Sequence, residues 1–229
     1  MTKVLAAVAA LLLSSVPAAA QVKITVSRAP AGYVMRVEDR IGVSTSTIPS
    51  VPLMLEDFVE KTRPGSGMNY LSAVTAHRDL FPAATVDSVA DGLERLALTH
   101  PDEQVGVASL YSLGSLGDAK GSLRVGNVAR LVRIYRATDH RRRSAVVAVL
   151  GRAGESRAAA TFLRSVAVGD ATDPDGRLAA GAVFSLSVLG PDGVATLRDL
   201  HQRGLVKEPD ARMMLGGLAR QGYDSRRKP

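Results

Sequence analysis

The sequence predicts an all-α protein, an α-solenoid of helix pairs preceded by a non-repeat N-terminal segment. Three observations predict it. One stretch of sequence recurs three times at nearly constant spacing. Each copy follows a segment whose apolar residues fall at helical intervals. The apolar content is 46% with 4% aromatics and no Trp or Cys, so the core has to be built from Ala, Val and Leu. The absence of Cys also excludes disulfides, thiolate metal sites, a catalytic thiol and a lipid-anchored cysteine. A length of 229 residues with 22% charged side chains fits one domain with or without an appendage. Neither wholesale disorder nor a multi-span membrane protein fits that composition.

Residues 1–20 read as a secretory signal peptide. Lys3 supplies a positive charge, Val4 to Leu13 is unbroken and apolar, and Pro17, Ala18, Ala19 and Ala20 end in a small-residue cleavage site before Gln21. The apolar run is shorter than the roughly 20 residues a membrane span needs. No Cys follows the site and no twin-arginine pair precedes the run, so general secretion is expected. An exported chain in the periplasm or outside the cell follows, without a transmembrane segment after cleavage.

Residues 21–52 form a different region, extended or partly disordered. Val22, Ile24 and Val26 alternate with polar residues, Pro30, Ala31 and Gly32 offer a turn, and Tyr33 to Val37 is β-prone, which outlines a β-hairpin. An isolated hairpin is marginal in water. Ile41 to Pro52, rich in Ser, Thr and Pro, reads as a linker. Residues 53–83 read as a helical N-terminal cap, with helices over Leu53–Thr62 and Asn69–Arg78 separated by Arg63, Pro64, Gly65, Ser66 and Gly67.

The repeats follow. Copies beginning at Asp102, Asp139 and Asp175 align without a gap, at spacings of 37 and 36 residues. Leu113, Leu150 and Leu186 are equivalent, and Gly117, Gly154 and Gly190 close the units. Each position has a physical task. Asp caps a helix N-terminus, the small residues Ala108, Ala145 and Gly181 admit a neighbouring helix, Leu packs between layers, and Gly ends the helix. The preceding helices carry apolar stripes at Val86, Val89, Ala90, Leu93 and Leu96, at Val128, Leu131, Val132 and Tyr135, at Ala159, Phe162, Leu163 and Val166, and at Val194, Leu197 and Leu200. The units span 84–118, 124–155, 156–191 and 192–223, with a degenerate last B-helix near Asp210 to Arg220 and a basic tail at 224–229.

The first copy reads D-x-x-V-x-x-A followed by L-G-x-L-G, the other two keep parts of that pattern, and over roughly residues 84–223 the chain resembles the HEAT-like repeats of the phycobilin-lyase type. The V position holds Val105, Arg142 and Leu178, so the second copy departs from the pattern. The family often has Arg one place later, where it can pair with the Asp. Those positions here are Gly106, Arg143 and Ala179, and only the middle unit could make that bond. The resemblance implies an α-solenoid acting as a binding scaffold. It does not imply lyase activity, because the motif is architectural.

Motifs for chemistry are sparse. The chain has no G-x-S-x-G, H-E-x-x-H, Walker loop or G-x-G-x-x-G, and no catalytic residue, metal site or cofactor is assigned. His77, His100, His140 and His201 are spread one to a segment. Asp170, Asp173, Asp175 and Gly176 hint at a calcium loop, but the first and twelfth positions of the EF-hand register fall on Ala171 and Ala182. Asp139 with His140 and nearby serines lacks the turn chemistry of a nucleophilic triad.

Charge is the informative feature. The chain carries a formal +7. Residues 21–100 hold 8 basic and 9 acidic side chains, whereas residues 120–164 hold 11 basic and 2 acidic. Within the basic stretch Arg130, Arg133 and Arg136 lie off the apolar stripe, and Arg141, Arg142 and Arg143 open the next helix, where the helix dipole adds positive charge. Two readings follow: an anion- or partner-binding patch, or a solubilising basic face. Nucleic acid fits poorly, given the export signal and few aromatics for stacking. The expected function is a non-enzymatic interaction scaffold for a protein partner or an anionic envelope component. The alternatives are an enzyme or cofactor-handling protein related to phycobilin-lyase-type HEAT-like proteins, and an envelope structural protein.

Overall fold

The computed structural model describes residues 23–30, 32–38, 42–62, 70–116, 125–154, 156–169 and 176–206. The signal segment 1–20, the loop holding Asp170, Asp173 and Asp175, Gly117, the last B-helix and the basic tail lie outside the described residues. The chain divides into two compact units, Met1–Ile48 and Pro49–Pro229.

The first unit corrects the all-α expectation. Strands β1 (Lys23–Ala29), β2 (Gly32–Glu38) and β3 (Val43–Thr47) form an antiparallel sheet in the order β1-β2-β3. Ile24 and Val26 stand opposite Val37 and Met35, which puts apolar side chains on one face. Gly32, with φ +130°, turns the chain into β2 in a conformation side chains disfavour. Strand β3 falls in the stretch read as a linker. Its Ser and Thr content suggested a loop, yet Val43, Thr45 and Thr47 are β-branched and fit a pleated strand. The third strand makes of a marginal hairpin a sheet able to hold register.

The second unit is helical. It contains α1 (Val51–Lys61), α2 (Tyr70–Ala76), a 3-10 turn (Arg78–Leu80), α3 (Ala83–Thr99), α4 (Glu103–Ser115), α5 (Val125–Ala137), α6 (His140–Leu150), α7 (Arg157–Val168), α8 (Arg177–Val188) and α9 (Pro191–Gln202). The linker expected to run to Pro52 stops at Ser50, because Pro52 suits the first helical turn, where its missing N–H is not needed. Helices α1 and α2 are clipped together: Asp57 accepts from the Tyr70 N–H at 3.1 Å and pairs with Lys61 at 2.9 Å.

Each odd-numbered helix from α1 to α9 packs against the next odd one, and each even-numbered helix from α2 to α8 against the next even one. Every odd helix from α1 to α7 also packs on the even helix that follows it, so the helices form two layers. The Leu positions anchor the space between them: Leu113, Leu150 and Leu186 are fully buried, as are Leu93, Leu131, Leu163 and Leu197. Tyr135 of α5 meets Phe162 of α7 edge to face, 5.1 Å between centroids.

The repeat chemistry is only partly symmetric. Asp102 accepts from the Gln104 N–H at 2.8 Å and Asp139 from the Arg142 N–H at 3.0 Å. Helix α8 instead starts from Gly176, left-handed at φ +66° and with no side-chain cap. At the α6–α8 joint the tight approach is at Gly151 rather than Gly181: a Cβ at Gly151 would lie 2.8 Å from the Ser185 Cβ and 2.9 Å from its Cα, whereas one at Gly181 would meet Val147 Cγ1 at 3.5 Å. Ser185 Oγ donates across the same joint to the Val147 carbonyl at 2.9 Å.

Candidate functional site

The six arginines singled out by charge are placed by α5 and the start of α6, and they fall into two clusters. The α5 stripe of Val128, Leu131, Ile134 and Tyr135 turns inward. That orientation sends Arg130 and Arg133 toward α3. Arg130 Nη1 pairs with Asp91 and, at 2.8 Å, with Glu94, while Arg133 Nη2 reaches Glu94 Oε1 at 2.9 Å. Burial acts to lower the Arg130 pKa, but hydrogen bonds to Glu94 and Asp91, reinforced by their charges, raise it above its ordinary value. Arg136, exposed near the end of the helix, has no ion-pair partner among the described residues.

The second cluster opens α6. Arg141 pairs with Glu103 of α4. Arg142, whose side chain is 14% exposed, bends back over α4: Nη2 donates to the His100 carbonyl at 2.8 Å and Nη1 reaches Asp139 at 3.3 Å. Gly106 makes this path possible, because a Cβ there would lie 2.7 Å from Arg142 Nε. The departure at the V position is therefore a long side chain laid over a glycine of the preceding unit. Arg143 Nε donates to the Tyr135 carbonyl at 3.0 Å, and its guanidinium lies over the Tyr135 ring. The Asp139 carboxyl is held below its ordinary pKa, chiefly by the hydrogen bond from the Arg142 backbone N–H.

The acidic partners were not singled out from sequence. They carry a readable signal nonetheless: Arg130 and Glu94 are 36 residues apart, Arg133 and Glu94 39, Arg141 and Glu103 38, and Arg164 and Asp199 35. Opposite charges one repeat apart are brought side by side by stacking. Asp199 accepts from both Arg164 and Arg203. Desolvation pushes its pKa up, but these two bonds outweigh it and hold the carboxyl below its ordinary value.

A second unforeseen feature is the row of exposed side chains on the even layer. Tyr111, Ala148 and Phe184 are equivalent, nine residues after the repeat Asp, and Ser115, Arg152 and Val188 follow one turn later. All six are exposed. In the odd layer a groove of about 470 Å³ opens between α1 and α3, lined by Leu55, Val59, Leu96, Glu56, Glu60 and Arg95 among others.

Among the described residues no group of three or more His, Asp or Glu is placed to hold a metal, and no helix is long and apolar enough to cross a membrane. His100 serves its turn, with Nδ1 accepting from the Asp102 N–H at 3.1 Å. No protein-family model, curated protein or solved structure matches this chain.

Proposed function

We propose that this chain is an exported α-solenoid of HEAT-like helix pairs whose work is to bind a partner, without catalysis. The observation that carries the reading is the layered packing. Helices α4, α6 and α8 lie side by side, and each keeps one face exposed at equivalent repeat positions. A row of equivalent helix faces is an extended surface, which suits recognition of a long ligand better than enclosure of a small one.

The arginine cluster supports a narrower role than an open anion patch. Arg130, Arg133 and Arg141 meet carboxylates of the preceding unit, and Arg142 and Arg143 donate to backbone carbonyls. The first four tie their unit to the preceding one and Arg143 ties α6 to α5 within the unit, while Arg136 remains available to an anion.

Site-specific photocrosslinking in the producing cell tests the proposal. A photoreactive residue at Ala148, in the middle of the even layer, should yield one discrete adduct that excess unlabelled protein competes away. The exported form should begin at Gln21. Absence of a competed adduct at Ala148 and at matched exposed positions would contradict the scaffold reading.

A further inference from the structure

The even layer has a composition that selects its ligand. Tyr111 is 41% exposed, Phe184 and Val188 each 55%, in a protein with only nine Phe and Tyr residues. Large apolar side chains recur at equivalent positions on the first and third helices of the row, on either side of α6. Helix α6 lies between α4 and α8, and it presents the small Ala148 between Tyr111 and Phe184. The one charge on the row is basic. Arg152 holds its guanidinium over the Tyr111 ring at 5.9 Å, with no carboxylate partner among the described residues. Arg141, nearer the start of α6, is paired with Glu103 of α4.

We infer that this face binds an extended segment of a partner protein in which apolar side chains alternate with Asp or Glu. The inference rests on the scaffold reading above and names the chemistry of its ligand. Adjacent packed helices are about 8–10 Å apart, so the row from Tyr111 to Phe184 spans roughly 16–20 Å. An extended chain advances about 3.3 Å per residue, and five or six residues cover that distance. Apolar anchors at that separation reach Tyr111 at one end and Phe184 with Val188 at the other. An acidic side chain between them meets Arg152, where charge and ring face act together. The positive charge of Arg152 disfavours a basic segment, and the aromatic ends disfavour a purely acidic polymer.

The test presents the full chain to a phage-displayed library of random peptides about twelve residues long. Enriched peptides should combine Asp or Glu with Leu, Ile or Phe, and bind more weakly as salt rises. The double variant Tyr111→Ser, Phe184→Ser should weaken them about tenfold or more, as loss of central anchors does. Arg152→Glu should weaken them and flatten the salt dependence, with circular dichroism unchanged in both variants. Absence of enrichment, or equal binding by an all-Glu peptide, would overturn the assignment. So would self-association of the chain lost in the same double variant, or binding of anionic vesicles with the same residue dependence. Enriched peptides that ignore Tyr111 and Phe184 would remove this face while leaving the scaffold reading intact, which the Ala148 adduct tests separately.

Discussion

The α3–α5 and α7–α9 joints of the odd layer and the α6–α8 joint of the even layer are built by different physics. In the odd layer, α3 meets α5 through Asp91 and Glu94 against Arg130 and Arg133, and α7 meets α9 through Arg164 and Asp199. In the even layer, α6 meets α8 by close backbone approach at Gly151 and a buried Ser185 hydroxyl. Arg133 and the Arg164–Asp199 pair are open to solvent, where ion pairs are individually worth little and fade with salt, while Arg130 and Glu94 are largely shielded. Dense packing is worth more and tolerates little change of volume. The lesson is that the α6–α8 joint is closed by backbone approach and a buried hydroxyl on its inner side, and the exposed row of Tyr111, Ala148 and Phe184 takes no part in closing it.

Four substitutions would break or sharpen that comparison. The largest effect should come from Leu150→Ala, which empties a fully buried site on α6. The cost should be about 2–5 kcal/mol, read as a lower denaturant midpoint. Arg152→Ala, two residues on and exposed, should shift that midpoint little.

Gly151→Ala comes next. The residue has ordinary helical φ, so alanine would gain about 0.4–1 kcal/mol from the unfolded chain. The clash with the Ser185 backbone opposes that gain and should win, for a net loss of about 1–3 kcal/mol. A more stable variant would show that the joint has slack.

Third is Asp139→Ala, which removes the cap of α6 and should cost about 0.5–2 kcal/mol at neutral pH. Its folded pKa lies below the ordinary 3.8. The stabilisation is therefore full above that value and declines as pH falls through the lower folded pKa. Melts of wild type and variant should converge at strongly acid pH, and a gap that persists there would contradict the carboxylate's role.

The smallest effect belongs to the odd layer. Asp91→Asn, at the exposed carboxylate of the Arg130 cluster, should cost about 1 kcal/mol or less, and the difference should shrink in high salt. A cost equal to that of Gly151→Ala would erase the distinction between the joints.

Much of this architecture is legible in the sequence. The Asp and Leu of each repeat mark where α4 and α6 start and where the core sits, because capping and burial are local demands that repeat with the unit. The apolar stripes mark α3, α5, α7 and α9 for the same reason. Strand β3 was missed because Ser and Thr serve loops and strands alike, and pairing with β2 decides between them. The arginines were legible as a charge cluster, but a count within one segment omits Glu94 and Glu103, which lie a full repeat earlier. The Tyr111–Phe184 row needed the alignment to be read by its outward positions, where nothing requires identity and the residues are Tyr, Ala and Phe.

The central claim is that the outward row of the even layer is there for binding rather than for folding. One paired measurement on the Tyr111→Ser, Phe184→Ser variant tests it: the unfolding free energy, and the yield of the competed adduct from a photoreactive residue at Ala148. Both side chains are exposed, so stability should stay within about 0.5 kcal/mol of wild type, while the adduct should disappear. Adduct retained at full yield, or a stability loss comparable to that of Leu150→Ala, would contradict the account.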